Sequence, residues 1–188
     1  MNEYEWRRGK GMLLKAYFNQ MWSQTQTQNH GIISYHDMVN IIDMMRYKAP
    51  EILDGQILPK IIDAYLYTAL SIFNTNKVSF IRDMKKAFHL AYGAGGVALL
   101  VMSLISILNV GILPASIAFI VGGTGSSIMA PLGVVGGGLV IILAFWRLTK
   151  KMTPQSRAEK CHEIVTKGID KWVEKGSKKL DIKAITQQ

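Results

Sequence analysis

Cysteine is all but missing from this chain, which holds one, Cys161. A lone thiol excludes an internal disulfide and a cysteine-based zinc site, and it fits a reducing compartment. Metal-ligating clusters are missing too. His30, His36 and Asp37 are the nearest approach to one, with a single carboxylate among them, so no metal and no cofactor is expected. Nothing resembles a nucleophilic triad. The run Gly122-Gly123-Thr124-Gly125-Ser126-Ser127 has no Gly-Lys-Ser/Thr, so it reads as a flexible turn rather than a phosphate-binding loop. No stretch of residues 1–90 alternates with period two, so no strand is expected there.

The most informative absence is charge. From Leu90 to Trp146, 57 residues (146 − 90 + 1) pass without Asp, Glu, Lys or Arg. A bilayer core needs ~20 apolar residues per helical span, so two spans and a short connection fit. Arg82, Lys85 and Lys86 precede the stretch, and Arg147, Lys150 and Lys151 follow it. Basic residues mark the cytoplasmic side, so equal collars predict a hairpin with both termini in the cytoplasm. The expected location is the cytoplasmic membrane of a bacterium. The N-terminal residues carry no apolar core behind their charges, so no signal peptide is expected there. The hairpin itself would direct insertion.

Charge elsewhere is unevenly spread. Residues 1–90 hold 11 Lys+Arg against 8 Asp+Glu, a net of +3, and residues 147–188 hold 11 against 5, a net of +6. Anionic headgroups attract each nearby cation by ~1 kcal/mol, which makes the lipid bilayer the first expected partner. Nucleic acid is the second, through the same attraction to phosphate.

The outer segments read as helices. Trp6, Leu13, Leu14, Tyr17, Phe18, Met21 and Trp22 recur at helical spacing over 4–23, and the polar run Gln24–His30 reads as a loop ending at Gly31. Ser34 and Asp37 form a capping-box-like start to a helix with Met38, Ile41, Ile42 and Met45 on one face, expected to stop before Pro50. A third helix fits 56–73, with Ile57, Ile61, Ile62, Tyr65, Leu66, Ala69, Leu70 and Phe73 buried, and Asn74-Thr75-Asn76 ends it. A fourth, 79–90, leads into the uncharged stretch. Thr153-Pro154 starts a last helix running to about 175, with Cys161, Ile164, Val165, Ile169, Trp172 and Val173 facing the bundle. Gly168 weakens it slightly, and 180–188 is expected to fray.

Within the stretch the spans fall at 94–113 and 128–146, joined by Pro114, an apolar run and the Gly122–Ser127 turn. Eleven of the 17 glycines lie here. Gly133 with Gly137, and Ala94 with Ala98, have the small-xxx-small spacing that lets helix backbones meet in lipid. Such contacts serve the hairpin itself, association into a homo-oligomer, or both. The resulting expectation is all-α: a cytoplasmic helical bundle (1–90), a two-helix transmembrane hairpin (91–147) and a basic C-terminal helix (148–188) packing on the bundle.

One pair carries possible chemistry. Arg157 and His162 stand five positions apart on the last helix, about 140° around its axis at 3.6 residues per turn. An Arg to hold phosphate and a His to move a proton near neutral pH would serve metal-independent RNA cleavage. The bland alternative is a solvated basic turn with a His at the face boundary. The pattern also occurs at Arg82 and His89, so it is not a demanding one.

The Arg157/His162 spacing resembles the Arg–His motif of HEPN domains, all-helical nucleases with a composite site across a dimer. A small membrane protein carrying a divergent motif of this kind is similar to the accessory protein of type VI-B CRISPR loci. That resemblance implies an oligomeric membrane pore acting in antiviral defence beside a defence-protein partner. The uncharged hairpin within a basic helical chain also resembles the pore-forming domain of colicins, where helices cover the hairpin until insertion. The chain here offers fewer covering helices than that family. These features together lead to the expectation of a self-associating integral membrane effector that forms a pore or otherwise perturbs the bilayer, in bacterial antiviral defence or toxicity. The alternatives are a membrane-tethered HEPN-like RNase or RNA-binding accessory, and a non-enzymatic membrane adaptor.

Overall fold

A reciprocal capping box opens the first helix: Asn2 Oδ1 accepts from the Glu5 amide at 2.8 Å, and the Glu5 carboxylate accepts from the Asn2 amide at 3.2 Å. In the computed structural model, which describes residues 2–108 and 142–186 (without the side chains of 107–108 and 177–186), this helix, α1, runs Glu3–Gln28. The polar run expected to be a loop is therefore helical as far as Gln28. Thr25 and Thr27 turn their hydroxyls onto the carbonyls of Met21 and Ser23, satisfying side chains that would otherwise compete with the helix. The chain then turns through His30 and Gly31, both at positive φ.

Helix α2 (Tyr35–Ile52) begins at the expected capping box, with Ser34 Oγ accepting from the Asp37 amide at 3.1 Å and Asp37 accepting from the Ser34 amide at 2.8 Å. It passes through Pro50 instead of stopping before it. Pro50 sits in the final turn, and its carbonyl accepts from Gly55 in the reversal that ends the helix. Asp54 and Gly55 take positive φ there.

Helix α3 (Lys60–Ser71) is the centre of the molecule, with ten of its twelve residues buried. Every residue expected on its buried face is buried except Ile57, which is 77 % exposed. The helix starts only at Lys60, so Ile57 lies outside it and Leu58 goes inward instead. Asn76 caps α4 (Lys77–Gly93), accepting from the amides of Val78 and Ser79. After a break at Ala94–Gly96, α5 runs Val97–Leu108. A further helical run over 142–151, α6, follows residues 109–141. Thr153 then caps α7 (Pro154–Thr186), its Oγ1 accepting from the Ser156 amide at 3.2 Å.

Helices α1, α3 and α5 all pack on α7, and α4 packs along α3. Close approach of α3 and α7 depends on Gly168: a Cβ there would lie 2.5 Å from Tyr65 Cβ and Cγ. The core gathers Leu14, Phe18, Tyr65, Leu66, Phe80 and Phe145, all essentially without solvent contact. Each such side chain contributes ~1.5–3 kcal/mol by its removal from water. The architecture of the described residues is thus all-α, with no strand among them.

The transmembrane hairpin stands differently. Among the described residues no helix is long and apolar enough to cross a membrane. Of the first expected span, α5 supplies twelve helical residues, or ~18 Å at 1.5 Å per residue, short of a bilayer core. Ala94 and Ala98 do not share a helix, because Ala94 caps α4 and Ala98 belongs to α5. The remainder of that span, most of the second, the Gly122–Ser127 turn and the Gly133/Gly137 pair lie outside the described residues.

Candidate functional site

Three features gather the polar chemistry of the molecule. The first is the Arg157–His162 pair on the opening turns of α7. His162 is half-buried, its ring 5.4 Å from that of Phe18 and 5.6 Å from that of Trp22. Its Nε2 lies 2.8 Å from Asn19 Oδ1, so a proton on Nε2 is donated to that amide oxygen. Burial lowers its pKa from the ordinary imidazole value, favouring the neutral ring. Arg157 Nε is shielded from solvent and has no hydrogen-bond partner. Beside the pair a cleft of about 660 Å³ opens between the end of α1 and the start of α7, lined by Gln26, His30, Thr153, Gln155 and Glu159 but by neither Arg157 nor His162. Within one chain, then, this cleft does not bring together the two residues expected to act together. Between them Cys161 is fully buried, its Sγ 3.5 Å from Met38 Sδ, and burial pushes its thiol well above the ordinary value.

The second feature is the seat of α5. The Tyr65 hydroxyl donates to the Leu99 carbonyl at 3.0 Å and lies 2.8 Å from Ser103 Oγ. Burial pushes this phenol up to about 12, against the opposing hydrogen bond to Ser103. Lys167 Nζ donates to Ser106 Oγ at 3.1 Å, and Lys175 Nζ donates to the Ala94 carbonyl. These bonds run α5 antiparallel to α7. Leu100, Val101, Ser103 and Leu104 face inward, while Met102 is 51 % exposed. At the other end of the uncharged stretch, Phe145 and Trp146 of α6 pack their rings, tilted by 50° and 56°, against Phe80 of α4 at 5.5 and 5.1 Å between ring centres. Both ends of the stretch thus rest on the bundle.

The third feature is a cleft of about 320 Å³ between α2, α3 and α4. Tyr67 lines it, with the Arg46 guanidinium 5.1 Å and Lys86 Nζ 4.1 Å from its ring centre. The cations here are already matched. Arg46 bonds Asp63 at 2.7 Å, and Arg82 reaches the buried Asp83, which also accepts from Asn74 at 2.6 Å. Lys86 donates to the Tyr67 hydroxyl at 2.5 Å. So two members of the first basic collar, Arg82 and Lys86, serve in part to order the bundle. Sequence reasoning found the collar but not this network, whose longest link, the Tyr35 hydroxyl donating to Asp83 at 3.3 Å, joins residues 48 positions apart.

Among the described residues no group of His, Cys, Asp or Glu is placed to hold a metal ion. No protein-family model, curated protein or solved structure matches the chain.

Proposed function

We propose that this chain is a self-associating membrane effector whose uncharged stretch enters the bilayer from a cytoplasmic helical bundle and perturbs it, by a pore or otherwise. The observation that carries this reading is the 57-residue run from Leu90 to Trp146 without a charge, between two basic collars. The resemblance to the accessory protein of type VI-B CRISPR loci implies antiviral defence as the setting of such an activity.

The seat of α5 adds a requirement. Lys167 bonds Ser106, ten residues into the segment that follows the Ala94–Gly96 break (106 − 96). A Lys carried to the centre of a bilayer costs ~2.5–3.5 kcal/mol on insertion scales. Helix α7, with Lys160, Lys167, Lys171 and Lys175, therefore does not accompany α5 into lipid. Entry of α5 requires it to leave α3 and α7 first, the sequence of events that a colicin-like covering implies. An RNase reading is less favoured, because His162 Nε2 is engaged by Asn19 and the cleft at the start of α7 is lined by neither His162 nor Arg157.

Met102 tests the reading. It is exposed on the docked α5, so Met102→Glu leaves the bundle folded, yet it places a carboxylate on a helix that must enter lipid. Reconstituted wild-type protein should release a small dye from anionic liposomes. Met102→Glu should have the same circular dichroism and thermal midpoint in detergent and at most a tenth of the release. Full release by the variant removes α5 from the lipid-entering segment, and no release by the wild type refutes the effector.

A further inference from the structure

At the break between α4 and α5, within the uncharged stretch, three cations line a cavity to which no described carboxylate contributes. The cavity measures about 190 Å³ and is bounded by Arg7, Pro59, Lys60, Ala94, Trp172 and Lys175. Arg7 comes from α1, Lys60 from the first position of α3, and Lys175 from α7, so three segments far apart in the chain supply the charge. Glu3 pairs with Arg7 at 2.6 Å without lining the cavity. Arg7 spends its terminal nitrogens on Glu3 and on the Trp172 carbonyl at 3.2 Å, while its Nε is shielded from solvent without a partner.

The backbone adds to this. Helix α3 starts at Pro59 with no side-chain cap, leaving the first amides of its opening turn without an intrahelical acceptor. Such amides, with the positive end of the helix dipole, favour an anion. Across the cavity Lys175 Nζ reaches the Ala94 carbonyl, and Gly95, at φ +61°, would bring a Cβ to 3.5 Å from that ammonium.

We infer that this cavity is a binding site for a phosphate group, held by Lys60, Lys175 and Arg7 over the start of α3. Its volume lies below the ~300 Å³ at which ordinary small-molecule pockets begin, so it takes a phosphoryl head and leaves the rest of the ligand outside. A lipid headgroup and a free phosphate share that chemistry. The inference rests partly on the membrane reading, since the site stands at the α4–α5 break, just before the helix which that reading sends into lipid. A bound phosphate draws on Lys175, the residue that ties α7 to the Ala94 carbonyl. A headgroup in the site thereby competes with one of the bonds that seat α5.

The test uses the full chain purified in detergent, titrated calorimetrically with sodium phosphate at constant ionic strength. Lys60→Gln and Lys175→Gln are the site variants, and Lys48→Gln, paired with Glu51 away from the cavity, is the control. A charge-assisted hydrogen bond lost from an anion weakens binding by about tenfold, and each site variant should show that loss while the control binds as the wild type does. Lys60 is exposed at the helix start, so Lys60→Gln keeps the test valid should Lys175→Gln unfold. Flotation with phosphatidylcholine vesicles, with and without phosphatidic acid, separates the sources. Loss of phosphatidate-dependent flotation in the same variants identifies the headgroup as ligand. Unchanged flotation with weakened phosphate binding identifies free phosphate. No binding by the wild type, unchanged binding in both site variants, or an equal loss in Lys48→Gln overturns the site. Phosphate binding in detergent needs no bilayer entry, so the failure of liposome release and the failure of this site are distinguishable.

Discussion

Replacing a helical glycine by alanine is ordinarily stabilising, by ~1 kcal/mol in a helix interior. In this protein the same substitution should act with opposite signs at two positions. Gly9 lies on the exposed side of α1, and a Cβ there meets nothing within 4 Å. Gly9→Ala therefore gains the propensity term alone. At Gly168 a Cβ would lie 2.5 Å from both Tyr65 Cβ and Cγ, the stem of the side chain and not its movable end. Ordinary carbon contact is ~3.5–4.0 Å, so α3 and α7 must part by roughly 1 Å, or Tyr65 must leave its rotamer. Overpacking of this kind costs ~1–3 kcal/mol and occasionally more. The Tyr65 bonds to Leu99 and Ser103 are strained with it, at a further ~1 kcal/mol together. Set against the propensity gain, Gly168→Ala should destabilise by ~2 kcal/mol. For a chain of this size 1 kcal/mol moves the midpoint by ~2–4 °C. Thermal unfolding followed by circular dichroism in a mild detergent should thus show Gly9→Ala up by ~2–4 °C and Gly168→Ala down by ~4–8 °C. A Gly168→Ala protein as stable as the wild type, or more so, would refute the close packing of α3 on α7.

Removing the phenol alone, Tyr65→Phe, should lower stability by ~1 kcal/mol and raise the rate of liposome dye release, because it frees α5 on one side; slower release would count against the docked helix as the lipid-entering segment. His162 makes stability depend on pH. Its folded pKa lies below the ordinary 6.5, so below that value the unfolded chain binds the extra proton more readily, and stability present above pH 6.5 is lost as pH falls toward the folded value. Urea unfolding between pH 7.5 and 5 should show that loss, diminished in His162→Gln, and an identical pH dependence in the variant would remove His162 as its source.

Most of the helical framework was legible because its signals are local. Ser34 and Asp37 announce the start of α2, Asn74–Asn76 the gap before α4, and Thr153-Pro154 the start of α7, each within a turn of the element it governs. Where local signals misled, another local contact had won. The Thr25 and Thr27 hydroxyls bond back into α1 and carry the helix through a run that composition marks as loop. Ile57 looked buried because it continues the α3 stripe backwards, but Pro59 supplies no amide and the helix begins after it. The polar sites were far less legible. Lys167 and Ser106 are 61 positions apart, and Arg7 and Trp172 are 165, so only the fold joins them. The Arg157–His162 spacing shows the converse. Five positions on a helix bring two chemistries near in sequence, yet one side chain is drawn to Asn19 and the aromatic pair of α1 while the other is not.

The seclusion of Cys161 has a practical consequence. A thiol with no solvent contact, packed on a methionine sulfur and held protonated by its surroundings, offers nothing for a maleimide or an iodoacetamide to attack. The wild-type chain is accordingly already a background for site-directed labelling. A cysteine introduced at Ala98 or Met102, on the outward side of α5, would be the sole reactive sulfur in the folded molecule. An environment-sensitive dye attached there would report, in real time and without any further mutation, whether that face of the helix lies in water or in hydrocarbon.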